Sequence, residues 1–333
     1  MTDHGSGSSA PAVSVVVPLY NKQAHVRRAL ESILGQTWTD FEVVVVADGS
    51  TDSGPERVRA CGDSRIRLVG QPNAGPGAAR NRGVRESRGA ITAFLDADDE
   101  WLPDRLSVSV RRLADHPECG AAVSGYWEGP EQRRRTIRTA PPLAGPGPFR
   151  LSAEASARSV RRLVESMWTG SVVCRRDVLL GLGGFYENRC TYGEDGYLWL
   201  KLLLTQTLHG DPSPLAWYHT EASDLGIHGR ACPPVRPALT DPEPLRRLCP
   251  SSHRDTLEDY LGLIALLTAR RHLLAGDEAT ARWAVRAFPR MRRCGKEYAM
   301  LRYEMIADPL LRRLGSATLH RWHRRVSGWR RGQ

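Results

Sequence analysis

Lysine is almost missing from this 333-residue chain: Lys22, Lys201 and Lys296 stand against 44 arginines. Such a bias fits a GC-rich coding background, so not every arginine requires a function. Long apolar runs are missing too. VVVVA (43–47) and YLGLIALL (260–267) have the size of a strand and a helix, short of the roughly 18 residues that span a bilayer. The opening MTDHGSGSSAPA has neither the basic start nor the apolar centre of a signal peptide. It reads as a disordered leader, and the expectation is a cytoplasmic protein. The cysteines (Cys61, Cys119, Cys174, Cys190, Cys232, Cys249 and Cys294) are odd in number and form no CxxC pair. That speaks against a disulfide framework or a zinc site. No multi-copy repeat is present, so a solenoid is not expected.

What is present is a soluble, globular composition with an uneven charge. Residues 230–333 hold 21 Arg and Lys against 10 Asp and Glu, whereas residues 1–229 hold 26 against 27. The whole excess of +10 therefore belongs to the C-terminal third, which suggests a second functional unit there. The expected division is a leader (1–12), an α/β domain (13–229) and a basic helical region (230–333).

VSVVVPL (13–19) is rich in β-branched residues and reads as a buried parallel strand. AHVRRALESILGQ (24–36) follows with a helical apolar stripe at Val26, Ala29, Leu30, Ile33 and Leu34. FEVVVVADGSTD, IRLV (66–69) and GAITAFLDADD supply three more strands, with AARNRGVRES a helix between the last two. Such alternation predicts a mostly parallel sheet flanked by helices. Three polar clusters, PLYN (18–21), ADGSTD (47–52) and DADD (96–99), then fall at strand carboxyl ends, where ligands of such sheets gather.

Further on, residues 126–157 turn rich in Arg, Pro and Gly and read as a flexible connection with a short hairpin. SARSVRRLVES and GEDGYLWLKLLL restore helical periodicity. TLEDYLGLIALLTARRHLLAG and DEATARWAVRAF form a helical pair jointed at Gly276 and Asp277. GPGAAR (75–80) is not a dinucleotide-binding GxGxxG, because its sixth position is Arg80 and it follows the third strand. Gly75 and Gly77 instead make a tight turn into a helix N-terminus, with Arg80 a candidate partner for a phosphate or nucleotide. Taken alone, FLDADDEW supports either a metal site or an acidic turn ahead of Pro103.

In order and spacing, VSVVVPLYNK, VVVVADGSTD, QPNAGPGAARNRG and FLDADDEW resemble the donor half of family 2 glycosyltransferases. LGGFYE (182–187) with GEDGYLWLKL (193–202) resembles the acceptor half. The resemblance covers about residues 13–222. It implies a GT-A fold (Rossmann-like, with a donor half near 13–125 and an acceptor half near 126–229), a nucleotide-diphosphate sugar donor, Mg²⁺ or Mn²⁺, and inversion at the anomeric carbon. One departure is Ala47, where the family usually carries an aspartate ahead of Asp48.

The roles it implies are as follows. Pro18 and Tyr20 line the base pocket, and Asp48 accepts a hydrogen bond from the base, expected to be uracil. Arg80 approaches the base or diphosphate. Asp98 and Asp96 form the metal-binding DxD, Asp96 also reaching the ribose, while Asp99 is left to start a helix. Asp195 is the general base, with Glu194 orienting the acceptor, and His219 joins the metal and diphosphate. The acceptor is expected to be a saccharide, a lipid-linked saccharide or another glycoconjugate.

Other features stay open. Trp168 and Trp199 could floor an acceptor sugar or fill the core. His320 and His323 lie in a basic tail and are not expected to hold zinc. That tail, RRLGSATLHRWHRRVSGWRRGQ (312–333), has seven arginines and no acid. With Leu314, Trp322, Val326 and Trp329 on one helical face, it reads either as an anionic-membrane contact at the inner face of the membrane or as a solvated tail. No nucleic-acid motif is present, and no nucleic-acid partner is expected. The rival readings are a polyprenyl-phosphate sugar transferase and a catalytically idle nucleotide- or glycan-binding module.

Overall fold

The computed structural model describes residues 10–130, 136–137, 140, 145–188, 190–222 and 232–306. Most of the leader and the whole tail with Leu314, His320, Trp322, His323, Val326 and Trp329 lie outside the described residues.

Among the described residues ten strands form one sheet. They are β1 (Val13–Leu19), β2 (Phe41–Asp48), β3 (Ile66–Gln71), β4 (Ile91–Phe94), β5 (Glu100–Trp101), β6 (Cys119–Glu128), β7 (Thr136–Ile137), β8 (Gly147–Phe149), β9 (Val172–Arg175) and β10 (Thr207–Tyr218). Their order is β3-β2-β1-β4-β9-β6-β10-β5, with β7 added to β6 and β8 to β10. Parallel pairing joins β1 to β2, β2 to β3, and β1 to β4, as the sequence led one to expect. Beyond β4 the sheet becomes mixed, because β9 runs antiparallel to both β4 and β6 while β10 runs parallel to β6. The expected hairpin after β6 is present as the antiparallel β6–β7 pair.

The valines of β1 and β2 are wholly buried because both faces of these central strands are covered. Helix Val26–Leu34 covers one face with its stripe of Val26, Ala29, Leu30 and Ile33. Helix Pro76–Glu86 covers the other, setting Ala79 on Val44 and Val46. Strand order reverses between β2-β1 and β1-β4, a switch point that leaves a crevice over the carboxyl ends of these strands.

The acceptor half and the C-terminal region share one apolar cluster. Val160 and Leu163 of helix Ala157–Ser166, Leu198 and Leu202 of helix Glu194–Thr205, and Leu257, Leu261 and Ile264 of helix Arg254–Leu274 all belong to it. The expected joint at Gly276 is real: Asp277 caps helix Glu278–Ala287 by accepting from the Thr280 N–H at 3.0 Å. All seven cysteines are free thiols. Among the described residues no helix is long and apolar enough to cross a membrane.

Helix Pro76–Glu86 meets the segment ahead of helix Glu194–Thr205 at Gly77, where a side chain has no room. A Cβ there would lie 2.2 Å from the carbonyl oxygen of Tyr186. Gly77→Ala is expected to destabilise the protein by about 1–3 kcal/mol, the usual range for overpacking a well-filled site. A urea unfolding midpoint equal to that of the parent would contradict this account of the contact.

Candidate active site

A cavity of about 830 Å³ opens over the carboxyl ends of β1, β2 and β4. Pro18, Tyr20, Asp48, Arg80, Asp96, Asp98, Glu194 and Asp195 all line it, so residues more than 170 positions apart share one space.

At one end β1 runs out into Tyr20, which is 50% exposed and lines the cavity. The following Asn21 adopts a left-handed backbone (φ 50°), and its side-chain oxygen accepts from the Thr51 N–H at 2.8 Å. The loops after β1 and β2 are thereby stitched together. Asp48 ends β2 and is buried. Its Oδ1 accepts from Gln71 Nε2 (2.8 Å) and the Ala74 N–H (2.9 Å), and its Oδ2 accepts from the Gly75 N–H (2.9 Å). Asp48 is thus a clasp for the loop leading into helix Pro76–Glu86. Two oxygens have about four acceptor positions, so one remains on Oδ2.

Arg80, one turn into that helix, is 5% exposed. Its guanidinium donates to Asp96 Oδ1 at 2.7 Å through one terminal nitrogen and to Glu194 Oε1 at 3.0 Å through the other. The Phe185 ring lies 5.3 Å away. Burial works against the charge, but the carboxylates of Asp96 and Glu194 outweigh it and hold the Arg80 pKa above its ordinary value. Arg80 was expected near the base or diphosphate; what it does here is bridge the DxD to the Glu-Asp pair.

The acids around it are crowded. Asp98 pairs with Lys22 Nζ at 2.9 Å. Burial raises its pKa against the pull of Lys22, and Asp96 adds to the rise. Asp99 is pushed well up by burial and by the charges of Asp98 and Asp96. The expectation that Asp99 starts a helix is not met, because the next helix begins at Arg105. Asp99 Oδ1 instead accepts from the His219 N–H at 2.9 Å, fastening the end of β10 beside the DxD loop. Glu194 and Asp195 open helix Glu194–Thr205, where acidic residues suit the helix dipole. Burial, then the charge of Asp195, pushes Glu194 up to about 7 in spite of Arg80. Burial likewise raises Asp195, opposed by Arg80; its Oδ1 accepts from the Gly196 N–H at 2.6 Å.

All the residues given roles by the resemblance except His219 share this cavity, and the family model for glycosyl transferase family 2 matches residues 14–180, half of the chain. The chain belongs to glycosyl transferase family 2. An uncharacterised glycosyltransferase of Escherichia coli, YibD, is 34% identical over 185 residues, covering 52% of this chain and 51% of its own. The succinoglycan biosynthesis protein ExoO of Rhizobium meliloti is 46% identical over 113 residues, 34% of this chain and 31% of its own. The chain thus spans about half the length of the first of these relatives and a third of the second. Among solved structures, S. aureus TarS 1–349 in complex with UDP-GlcNAc aligns with TM-score 0.58 at 18% identity, covering 84% of this chain and 91% of that one. The mannosyltransferase PcManGT of Pyrobaculum calidifontis, in complex with GDP-Man and Mn²⁺, aligns with TM-score 0.51 at 19% identity, covering 88% and 81%. The architecture is GT-A.

One expected residue, His219, does not join the cavity lining, and of the two tryptophans left open only one does. His219 is buried with its ring stacked on Trp217 (centroids 4.2 Å apart), Nδ1 2.8 Å from Glu221 and Nε2 3.2 Å from Glu100. Both ring nitrogens face carboxylates rather than the cavity that Asp98 and Asp96 line. Trp199 is fully buried edge-on to Phe185 and belongs to the core. Trp168 does line the cavity, between Tyr126 and Tyr218 with centroids 5.1 and 5.4 Å away.

Several lining residues went unmarked in the sequence. Lys22 was hidden by its place in an ordinary PLYNK loop. Arg236 and Tyr260 come from the C-terminal region, whose charge suggested a separate unit. The Arg236 guanidinium lies 5.3 Å from the Tyr192 ring and donates to its hydroxyl at 3.1 Å. Only the composition of RACPPVRPAL, an arginine between prolines, offered a signal.

Arg80→Met would leave two buried carboxylates without their cation, and a loss of about 3–5 kcal/mol in unfolding free energy is expected. Arg80→Lys should recover only part, since an ammonium lacks the fork that reaches both partners; full recovery in urea titrations would refute the bridge. Glu194 gives a pH signature. A carboxyl raised to about 7 in the fold stabilises below its unfolded pKa, near 4.5, and that contribution is lost as pH rises through 7. Relative to Glu194→Gln, the parent should therefore lose unfolding free energy between pH 5 and pH 8. Parallel pH profiles for the two proteins would contradict the raised pKa.

Proposed function

We propose that this enzyme is an inverting glycosyltransferase that moves a sugar from a nucleotide-diphosphate sugar, expected to be a UDP-sugar, to a hydroxyl of a saccharide or glycoconjugate acceptor. The carrying observation is the single cavity in which Arg80 links Asp96 on the donor side to Glu194 beside Asp195. A binding module has no need of a half-buried carboxylate facing the same space as the donor loops. The nucleotide sugars held by the two structural neighbours support a donor of this class, and the succinoglycan role of ExoO supports a glycan product.

The Tyr20 ring offers a face on which the base stacks, and the remaining acceptor position of Asp48 takes an N–H of the base. Asp195 removes the proton of the acceptor hydroxyl as its oxygen bonds to the anomeric carbon. The bond from that carbon to the diphosphate oxygen breaks on the opposite face, so the centre inverts and no covalent nucleophile is required. Glu194, held by Arg80, fixes the first turn on which Asp195 stands. Trp168, with Tyr126 and Tyr218, provides an apolar platform for the acceptor sugar.

The donor set suits a hard divalent cation. Asp96 and Asp98 are oxygen ligands at the cavity wall, and one oxygen of each is held by a cation, Arg80 or Lys22. Among the described residues no group of three or more His, Cys, Asp or Glu is arranged around one point. Two carboxylates with the diphosphate completing the shell is the usual arrangement for Mg²⁺ and its like. When bound there, Mg²⁺ or Mn²⁺ would neutralise the charge that grows on the departing diphosphate.

Turnover of a nucleotide-sugar panel with Mn²⁺, with and without oligosaccharide acceptors, tests the proposal. Asp195→Asn should lower kcat about 10²–10⁴-fold, and Asp98→Ala should remove the metal dependence together with most activity. Full activity of Asp195→Asn would overturn the base assignment. Metal-independent turnover would overturn the role of the DxD, and no turnover across the panel would overturn the proposed reaction.

A further inference from the structure

The cation opposite Asp98 is one of only three lysines in a chain with 44 arginines. Carboxylates elsewhere at the cavity and in the sheet pair with arginine: Asp96 and Glu194 with Arg80, Asp211 with Arg112, Glu42 with Arg67. The difference is physical. A guanidinium forks onto two acceptors and stays put, whereas an ammonium is a point charge on a four-carbon stem that exchanges partners. Lys22 reaches Asp98 Oδ2 at 2.9 Å and also donates to the Ala222 carbonyl at 2.7 Å. Arg28, the other nearby cation, donates to the backbone carbonyl of Asp98 and leaves the carboxylate to Lys22. Both members of the pair are largely buried, at 15% and 11% side-chain exposure, and both line the cavity.

We propose that Lys22 is an exchangeable counter-cation of Asp98. It neutralises this carboxylate in the metal-free protein and opposes divalent-ion binding. When Asp98 is claimed by the metal, the Lys22 ammonium is released toward the cavity, where the diphosphate of the donor would receive it. Such an arrangement lets the acidic loop fold without a metal and makes Lys22 a positioning residue for donor and metal together. This inference rests on the reading of Asp98 as a metal ligand.

Calorimetric titration of Mn²⁺ into the full-length chain separates the two claims without measuring turnover. Lys22→Met and Lys22→Gln are expected to bind Mn²⁺ on the order of tenfold tighter than the parent, the scale of one partly buried ion pair. Asp98→Asn is expected to lose binding, and Lys296→Met, which removes the same charge away from the cavity, to leave it unchanged. Thermal melts add a second readout. Both Lys22 variants should melt below the parent without Mn²⁺ and recover more than the parent does at saturation. If Asp98→Asn binds Mn²⁺ as the parent does, the metal reading itself fails. If Asp98→Asn loses binding while both Lys22 variants bind no tighter, or while Lys296→Met tightens equally, the counter-cation role fails and the metal reading stands. Equal melting deficits with and without Mn²⁺ would likewise reduce Lys22 to a structural strut.

Discussion

Arg80 is one buried cation holding two carboxylates that the chain supplies from opposite halves of the fold. Asp96 belongs to the loop after β4 and Glu194 to the start of helix Glu194–Thr205, and the guanidinium binds both within 3.0 Å. Everything that forms the site depends on that bridge being in place. It requires helix Pro76–Glu86 to begin where it does, and Gly75, with φ 93°, makes the turn into it. The clasp of Asp48 on residues 74 and 75 fixes that turn from the side of β2. The contact of Gly77 with Tyr186 brings the acceptor segment close enough for Glu194 to be reached. A longer side chain at either glycine would move the cation, and with it the distance between the two ends of the cavity.

The bridge does not fully balance the charge that it organises. Asp96, Asp98, Asp99, Glu194 and Asp195 face Arg80, Lys22, Arg28 and Arg236, and burial raises the pKa of all the acids for which a shift is resolved. Desolvated carboxylates in excess weaken a fold, so their presence at one cavity marks a site shaped for something other than stability. In the proposed reaction a divalent cation would add positive charge at this cavity. Burial, with the charge of Asp96, also raises the Asp195 pKa against the pull of Arg80.

Strand ends and helical stripes were legible because they are local. The runs VSVVVPL and VVVVAD announced buried parallel strands, and the three polar clusters at their ends marked the edge on which the cavity opens. What could not be read was the partner of each charge. Asp99 looks like a helix starter within FLDADDEW, yet its hydrogen bond goes to His219, 120 residues away. His219 sits where a ligand was expected, but stacking on Trp217 and the two flanking glutamates are decided by the packing of β10 against β5. Asp48 carries a loop-holding duty invisible in ADGS, since its three donors lie 23 to 27 residues further on. Pairing across such separations is fixed by the tertiary arrangement, and no spacing in the sequence encodes it.

The C-terminal third shows how composition can mislead about organisation while still being physically true. Its surplus of arginine suggested a second unit, but apolar residues of helix Arg254–Leu274 continue the core of the acceptor half without a break. Through that shared core Tyr260 and Arg236 reach the cavity wall opposite the donor loops. The family model ends at residue 180, ahead of Glu194, Asp195, Arg236 and Tyr260 alike. In the proposed reaction the loops after β1, β2 and β4 meet the same diphosphate whatever the acceptor, so their sequence is constrained by one chemistry. An acceptor wall, in the same proposal, answers to shape and charge that differ from one acceptor to the next, and the lining from outside the common region is a helix and a proline-flanked arginine. In the proposed reaction, selectivity should therefore be sought in Arg236 and Tyr260 rather than in Glu194, because these two can change without disturbing the Arg80 bridge.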